Sequence, residues 1–495
     1  MTRDGFDYVV VGGGSAGCVV AARLAEDPHA SVCLIEAGPN DRELPQVQNV
    51  SRWSELLLGA LDFAYAIEPQ LRGNDRLVHS RGRVLGGCSS HNSCIALRPS
   101  ARDFERWEAL GARGWGPKDV EPFFARVLER VHLELGNTEN PLSNAFVESA
   151  QCLAFPFVDF SLPFSEGVGW LPLNKRGGQR DSASNAYLHR PGVPENLEIR
   201  TETRVVAIKW EGQRAAELAL DDATMIRTEG ALVLAAGVFD TPKLLLLSGV
   251  GPPDDVTRIG IPVHHALEGV GRHLVDHPEG VLIWELERPL PRASSQKYEA
   301  ALFADPANAG RAEIMLHFGL EPFDMNTAPA GYPTSTNAMS LTPNVCYARS
   351  EGVLTLRSAD PRDAPVIDPR YFTDAEDYDR RTMLEGLRLA REIAATSPLE
   401  DWILRELAPG ADIVSDAALA DYLRRTHNTV YHPAGTCRMA SADEPMSVVT
   451  PDLRLIGTDN VFVADASVFP EMVGVNPNLT VMMIGERCAA SIRQR

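Results

Sequence analysis

The sequence predicts an α/β protein built on a Rossmann-like dinucleotide-binding unit, and three features near its N-terminus carry that prediction. Residues 8–11 form a β-branched and aromatic run. They pass directly into Gly12-Gly13-Gly14-Ser15-Ala16-Gly17, after which residues 18–24 have helical composition. A second apolar run, 31–35, ends at Glu36. Strand, glycine turn, helix and a second strand with an acidic tip are the parts of a βαβ unit.

Each part has a job in that unit. Glycine at 12, 14 and 17 lets backbone N–H groups approach a pyrophosphate at a helix N-terminus, where the helix dipole favours negative charge. Glu36, 19 residues past Gly17, is placed to accept from a ribose hydroxyl and would repel a 2′-phosphate. A glycine turn without ligand is the plainer reading, but strand, helix and acidic tip all fall where a nucleotide needs them. The turn alone does not separate FAD from NAD.

Further strands are expected at 197–199, 205–210, 231–236 and 461–463, and helices at 377–395, 416–425 and 481–492. A Pro-led helix is expected at 241–247, closed by Ser248-Gly249. The run from Gly82 through Gly86-Gly87-Cys88-Ser89-Ser90-His91-Asn92-Ser93 is too rich in glycine and small polar residues for a helix or a central strand. It reads as a backbone cradle around a flat ligand. No internal repeat or low-complexity linker is present.

Composition excludes other classes. Hydrophobic residues make up 44% and charged residues 23% of the 495, which argues against disorder, collagen-like sequence and coiled coil. The formal charge of −20 repels nucleic acid and anionic lipid. The eight cysteines form no CxxC pair and no His/Cys cluster of zinc-site spacing, so they read as reduced core thiols with no metal site. No apolar run is long enough for a membrane span or a signal peptide, which makes a soluble, cytoplasmic protein the expectation. Oligomeric state, a homodimer included, is left open.

On the segments 82–105 and 237–251 the sequence resembles the glucose-methanol-choline (GMC) oxidoreductase family. The resemblance runs on through Gly271-Arg272-His273-Leu274-Val275-Asp276-His277, Tyr431-His432-Pro433-Ala434-Gly435-Thr436 and Val463-Ala464-Asp465-Ala466-Ser467. Its fold implication is a Rossmann-like FAD-binding domain at 1–150, 186–278 and 430–495. A smaller substrate domain at 151–185 and 279–429 would carry an antiparallel sheet packed by helices. FAD is the implied cofactor, held by Gly12, Gly14, Gly17, Glu36, Gly86, Gly87, Ser89, His91, Asn92, Asp465 and Asn478. His91 stands where the family's choline-oxidising members carry a histidine linked covalently to the flavin; an unlinked loop histidine is the alternative.

The same resemblance implies oxidation of an alcohol by hydride transfer to flavin N5. His432 would hold a proton or stabilise an alkoxide beside Asn476, with Ser93 facing the alcohol. For these three the plainer readings are a buried histidine bonded to backbone, an Asn-Pro turn and a loop serine. Glu279 would hold a cationic head group. Trp53, Tyr298, Phe323 and Tyr431 would supply aromatic faces, with His317 polar between them. Tyr298 replaces a tryptophan of the choline-oxidising members and Glu321 an aliphatic residue, so a second carboxylate is expected in the pocket. Residues 130–143 form a shorter segment than in most of the family. The expected substrate is choline or a similar small amino alcohol, oxidised to the aldehyde and on to the acid, with O2 as acceptor and hydrogen peroxide as product. A dehydrogenase with another acceptor or another primary alcohol is the alternative.

Overall fold

The computed structural model describes residues 4–494 apart from 137, 163, 293–295 and 308; residue 137, inside the short 130–143 segment, therefore lies outside the described residues. One layer is a seven-stranded sheet. Gly5–Val11 pairs in parallel with Val32–Ile35 on one side and Met225–Leu234 on the other. Leu197–Arg200 and Val461–Val463 extend it in parallel, and the hairpin Val205–Glu211/Arg214–Leu220 adds an antiparallel margin. Val9, Val10, Leu34 and Val233 are fully buried, as expected of parallel strands covered on both faces. Helices Ser15–Leu24 and Asn478–Arg493 pack together over this sheet.

The second layer is an eight-stranded antiparallel sheet in the order Ile403–Ala408, Leu282–Leu286, Ala338–Val345, Ile314–Gly319, Tyr298–Ala304, Gly167–Trp170. Two short strands, Pro278–Glu279 and Asn428–Thr429, complete it. The period of two along a strand sends successive side chains to opposite faces. Phe318 accordingly stacks on Phe146 of helix Pro141–Cys152, ring centroids 4.9 Å apart, while its neighbour His317 lines the cavity between the layers. Helix Tyr378–Ala394 covers the same outer face, burying Met383, Leu387, Ala390 and Ile393 at helical spacing.

Several boundaries differ from the sequence expectation for identifiable reasons. The strand expected at 231–236 runs from Met225 to Leu234, and the helix expected from Thr241 begins at Gly237. Pro242 therefore sits inside the helix rather than leading it. Its missing N–H would orphan the Val238 carbonyl, which instead accepts from Thr436 Oγ1 at 2.6 Å. The C-terminal helix starts at Asn478, directly after Pro477, rather than at 481. The cradle contains one 3-10 turn, Gly87–Ser90. Of the eight free cysteines, Cys88 is half-buried and Cys152 exposed, so these two are not core thiols.

Helices Ala101–Ala109, Pro117–Arg130 and Pro141–Cys152 had no sequence expectation, although the first carries a Ser100/Asp103 capping box. Among the described residues no helix is long and apolar enough to cross a membrane, and no group of three or more His, Cys, Asp or Glu is arranged to hold a metal ion.

Candidate active site

An elongated cavity runs between the layers, from Gly12 and Gly14 at one end to Glu279, Tyr298 and His317 at the other. At the glycine end, Gly12 has φ +98° and a Cβ there would lie 2.4 Å from the Ala235 carbonyl, so only glycine closes this turn onto its neighbouring strand. Glu36 accepts from the backbone N–H of Gly13 (2.9 Å) and Gly38 (2.7 Å); burial nevertheless pushes its carboxyl up to about 7. Asp465 accepts from Gly237 N–H (2.9 Å) and Thr241 Oγ1 (2.6 Å). Ser15 Oγ donates to Asn478 Oδ1 at 2.8 Å, which leaves the buried Asn478 Nδ2 without a partner.

Gly87, at φ +52°, lies so close to the glycine turn that a Cβ would stand 2.7 Å from Gly14 Cα. The cradle and the dinucleotide turn thus form one surface. A helix N-terminus, a buried carboxylate at the tip of the second strand that would hold a ribose, and an orphaned amide donor fit FAD. Of the expected cofactor residues, Gly12, Gly14, Glu36, Gly87, His91, Asn92, Asp465 and Asn478 line the cavity. Gly17, Gly86 and Ser89 stand behind it. A Cβ on Gly17 would meet the Gly12 carbonyl, Gly86 N–H donates to Gly13 O at 2.6 Å, and Ser89 Oγ donates to Gly86 O at 2.6 Å.

His91 places Nε2 2.9 Å from the Leu56 carbonyl and 3.6 Å from the Asp62 carboxylate. Burial holds the imidazole down at about 4 despite Asp62. A carbonyl can only accept, so Nε2 carries the proton and Nδ1 is the bare nitrogen.

Further along, His432 is fixed by a chain of bonds that begins at another carbonyl. His277 Nε2 lies 2.8 Å from Cys346 O and must donate to it. Burial lowers His277 to about 4, so the ring is neutral and its Nδ1 accepts from His432 Nδ1–H at 2.9 Å. His432 Nε2 is then the unprotonated nitrogen, with the Asn476 amide Nδ2 3.4 Å away. Burial, with His277, His317 and Arg81 nearby, lowers His432 well below the usual histidine range, which keeps that lone pair available. The backbone is held as firmly. Asp276 accepts from His432 N–H (3.1 Å), Thr429 Oγ1 (2.5 Å) and Tyr371 Oη (2.5 Å), and Arg81 Nη2 donates to the carbonyl of Tyr431, a residue at φ +62°.

At the far end Glu279 is buried in a small aromatic enclosure. Its Oε2 accepts from Asn428 Nδ2 at 2.9 Å, and Asn428 Oδ1 accepts from Asn326 at 3.0 Å. Burial pushes the Glu279 carboxyl up to about 8, against these bonds. Trp53 meets Tyr298 edge to face at 5.8 Å, and Tyr298 meets Phe323 at 5.9 Å. Trp53, Tyr298, His317, Phe323, Tyr431, Ser93, His432 and Asn476 all line this cavity with Glu279. Glu321 does not. It is paired with Lys297 on the same hairpin and acts on the cavity only through Tyr298, whose hydroxyl its charge disfavours ionising.

Residues that sequence reasoning passed over are Asp276, His277, Arg81, Asn428 and Cys346. Asp276 and His277 fell inside a quoted motif, but nothing in their spacing pairs them with residues more than 150 positions away.

GMC oxidoreductase profiles match residues 6–279 with the N-terminal part of the family and 348–485 with the C-terminal part. The chain is 45% identical to choline oxidase from Arthrobacter globiformis, covering 99% of this chain and 94% of that one. It is 33% identical to the mitochondrial choline dehydrogenase of Homo sapiens, covering 99% and 90%. In three dimensions it is similar to the crystal structure of pyridoxine 4-oxidase from Mesorbium loti, with a TM-score of 0.92, 31% identity and 99% of each chain covered.

Proposed function

Since the chain belongs to the GMC oxidoreductase family and is an FAD-dependent enzyme acting on alcohols, we propose that it oxidises choline, or a similar small alcohol with a quaternary or protonated amine, to the aldehyde. O2 is the proposed electron acceptor and hydrogen peroxide the product. The observation that carries this reading is the placement of a buried carboxylate, walled by aromatic rings, in the same cavity as the unprotonated Nε2 of His432.

Glu279 and the faces of Trp53, Tyr298 and Tyr431 bind the cation. A head group without N–H can be held only by charge and by ring faces. The hydroxyl at the other end gives its proton to His432 Nε2, while Asn476 Nδ2 and Ser93 Oγ orient the oxygen. Bound FAD supplies the hydride acceptor. Burial of Glu279 and Asn476 strengthens their interactions over the value in water. A hydrated aldehyde is again an alcohol, so the same groups can act a second time and give the acid, betaine when choline is the substrate. Residues 1–150, 186–278 and 430–495 are the proposed FAD-binding part and 151–185 with 279–429 the substrate part, a division supported by the membership of the two large sheets. The similarity to a choline dehydrogenase supports a second reading, in which a different acceptor takes the electrons.

The test is a panel of alcohols under air, with aldehyde and hydrogen peroxide both quantified. Cationic alcohols turned over with one peroxide per aldehyde released and two per acid formed support the oxidase. Turnover that needs an added dye and releases no peroxide favours the dehydrogenase, and no turnover of any cationic alcohol contradicts the substrate assignment.

A further inference from the structure

Arg180 is a charged side chain in the deep interior, 2% exposed, with no carboxylate within ion-pair distance among the described residues. It sits at the end of the hairpin Pro172–Arg176/Gln179–Arg180, between the loop that carries Trp53 and the cradle. Nε donates to Val47 O at 2.9 Å. Nη1 donates to Ser89 O (3.2 Å), Asn92 Oδ1 (2.8 Å) and Cys94 Sγ (3.0 Å), and Nη2 is buried with no partner. All four acceptors are neutral. Asp181 is taken by Arg190 and the His132 N–H, and Asp41, which accepts from Ser184 and His189, attracts the guanidinium only from beyond contact distance. Cys94, which faces the guanidinium, is itself held at φ +66°, a conformation that costs energy in a residue other than glycine.

Burying a guanidinium with no carboxylate in contact is costly, and a neutral side chain of similar shape could tie the same loops together. With only neutral groups in contact, part of the positive charge is left to act on the far side of the cradle. There the wall formed by Cys88, His91, Asn92 and Ser93 faces the cavity. Asn92 transmits the orientation: its Oδ1 is consumed by Arg180 and by Cys94 N–H (3.1 Å), which turns its NH2 donor away from them.

We propose that Arg180 is a positioning residue whose positive charge, acting through Asn92 and the cradle backbone, stabilises the reduced flavin. Hydride transfer adds two electrons and one hydrogen to the ring system and so leaves one negative charge on it, and the charge held behind the cradle makes that change more favourable. Arg180 does not touch the cofactor or the alcohol. Its effect is on the flavin's potential and on the affinity of oxidised flavin for anions.

The experiment compares Arg180→Met, Arg180→Lys and Cys94→Asp holoenzymes by spectroelectrochemical midpoint potential and by sulfite titration of the oxidised flavin. Arg180→Met removes the charge and should lower the potential and weaken sulfite binding about tenfold, the size of one partly screened charge interaction. Arg180→Lys should keep both properties near those of the parent protein. Cys94→Asp keeps the guanidinium but neutralises it, and should move both in the direction of Arg180→Met; this variant decides the matter if Arg180→Met does not load flavin. A parent-like potential and sulfite affinity in Cys94→Asp, or equal losses in the Lys and Met variants, would assign Arg180 to loop packing alone and overturn the proposal.

Discussion

His277 reaches neither alcohol nor flavin in the proposed arrangement, yet its bond to the Cys346 carbonyl decides which nitrogen of His432 is bare. Removing that constraint in His277→Ala should slow flavin reduction about 10- to 100-fold, the usual effect of losing a group that orients a catalytic imidazole, with KM little changed. His432→Ala removes the base itself and should slow reduction by several orders of magnitude while flavin stays bound. Rapid-mixing absorbance at the flavin band measures both. Glu279 sets a pH dependence of definite sign. Its carboxyl is raised to about 8, so the protonated, neutral form dominates below that pH and affinity for a cationic alcohol should rise as pH increases through it. His432 is lowered by burial and contributes no opposing limb there. A kcat/KM profile for choline against that of its neutral carbon isostere checks this; only the cation should show the limb. At this scale motif resemblance pointed to Glu279, His432 and Asn476, which the structure brings to one cavity. His277 and Cys346 stayed hidden because their roles depend on hydrogen bonds between distant segments.

The helix Gly237–Leu247 shows how a local rule reads correctly and still misplaces an element. Proline favours the first turn of a helix, so Pro242 suggests a start at 241. The structure instead places it further in and meets the freed Val238 carbonyl with Thr436. Thr436→Val should therefore cost about 1–3 kcal/mol, the penalty for an unsatisfied buried acceptor, visible as a lowered unfolding midpoint. Gly87 makes the same point for the cradle. Its backbone conformation and its contact with Gly14 leave no room for a Cβ. Gly87→Ala should yield folded protein with weakened flavin retention, measured as the flavin-to-protein absorbance ratio. Small-residue composition made the cradle legible in the sequence, whereas its packing against the dinucleotide turn is a tertiary fact with no local signal.

Across the whole molecule, the parallel layer could be traced from its strand and turn chemistry, since residues buried on both faces form continuous apolar runs. The antiparallel layer was foreseen only through family resemblance. Its strands Tyr298–Ala304, Ile314–Gly319 and Ala338–Val345 are buried along their whole length and lack the alternation that marks a half-exposed sheet. Glu321 shows the limit of the sequence: it suggests a second pocket carboxylate, whereas the fold sets Glu321 behind Tyr298 with Lys297 beside it. Joining the layers brings Glu279, the proposed head-group carboxylate, and His432, the proposed base, into one cavity, and the central claim is that this cavity oxidises a cationic alcohol. Anaerobic mixing with choline and with its neutral carbon isostere, above pH 8 where Glu279 is ionised, in the parent protein and in Glu279→Gln, tests that claim most directly. The account predicts that choline bleaches the parent flavin at much lower concentration than the isostere, by several-fold to a few hundred-fold, or about 1–3 kcal/mol, and that Glu279→Gln abolishes the difference. Equal bleaching by the two alcohols in both proteins would contradict it.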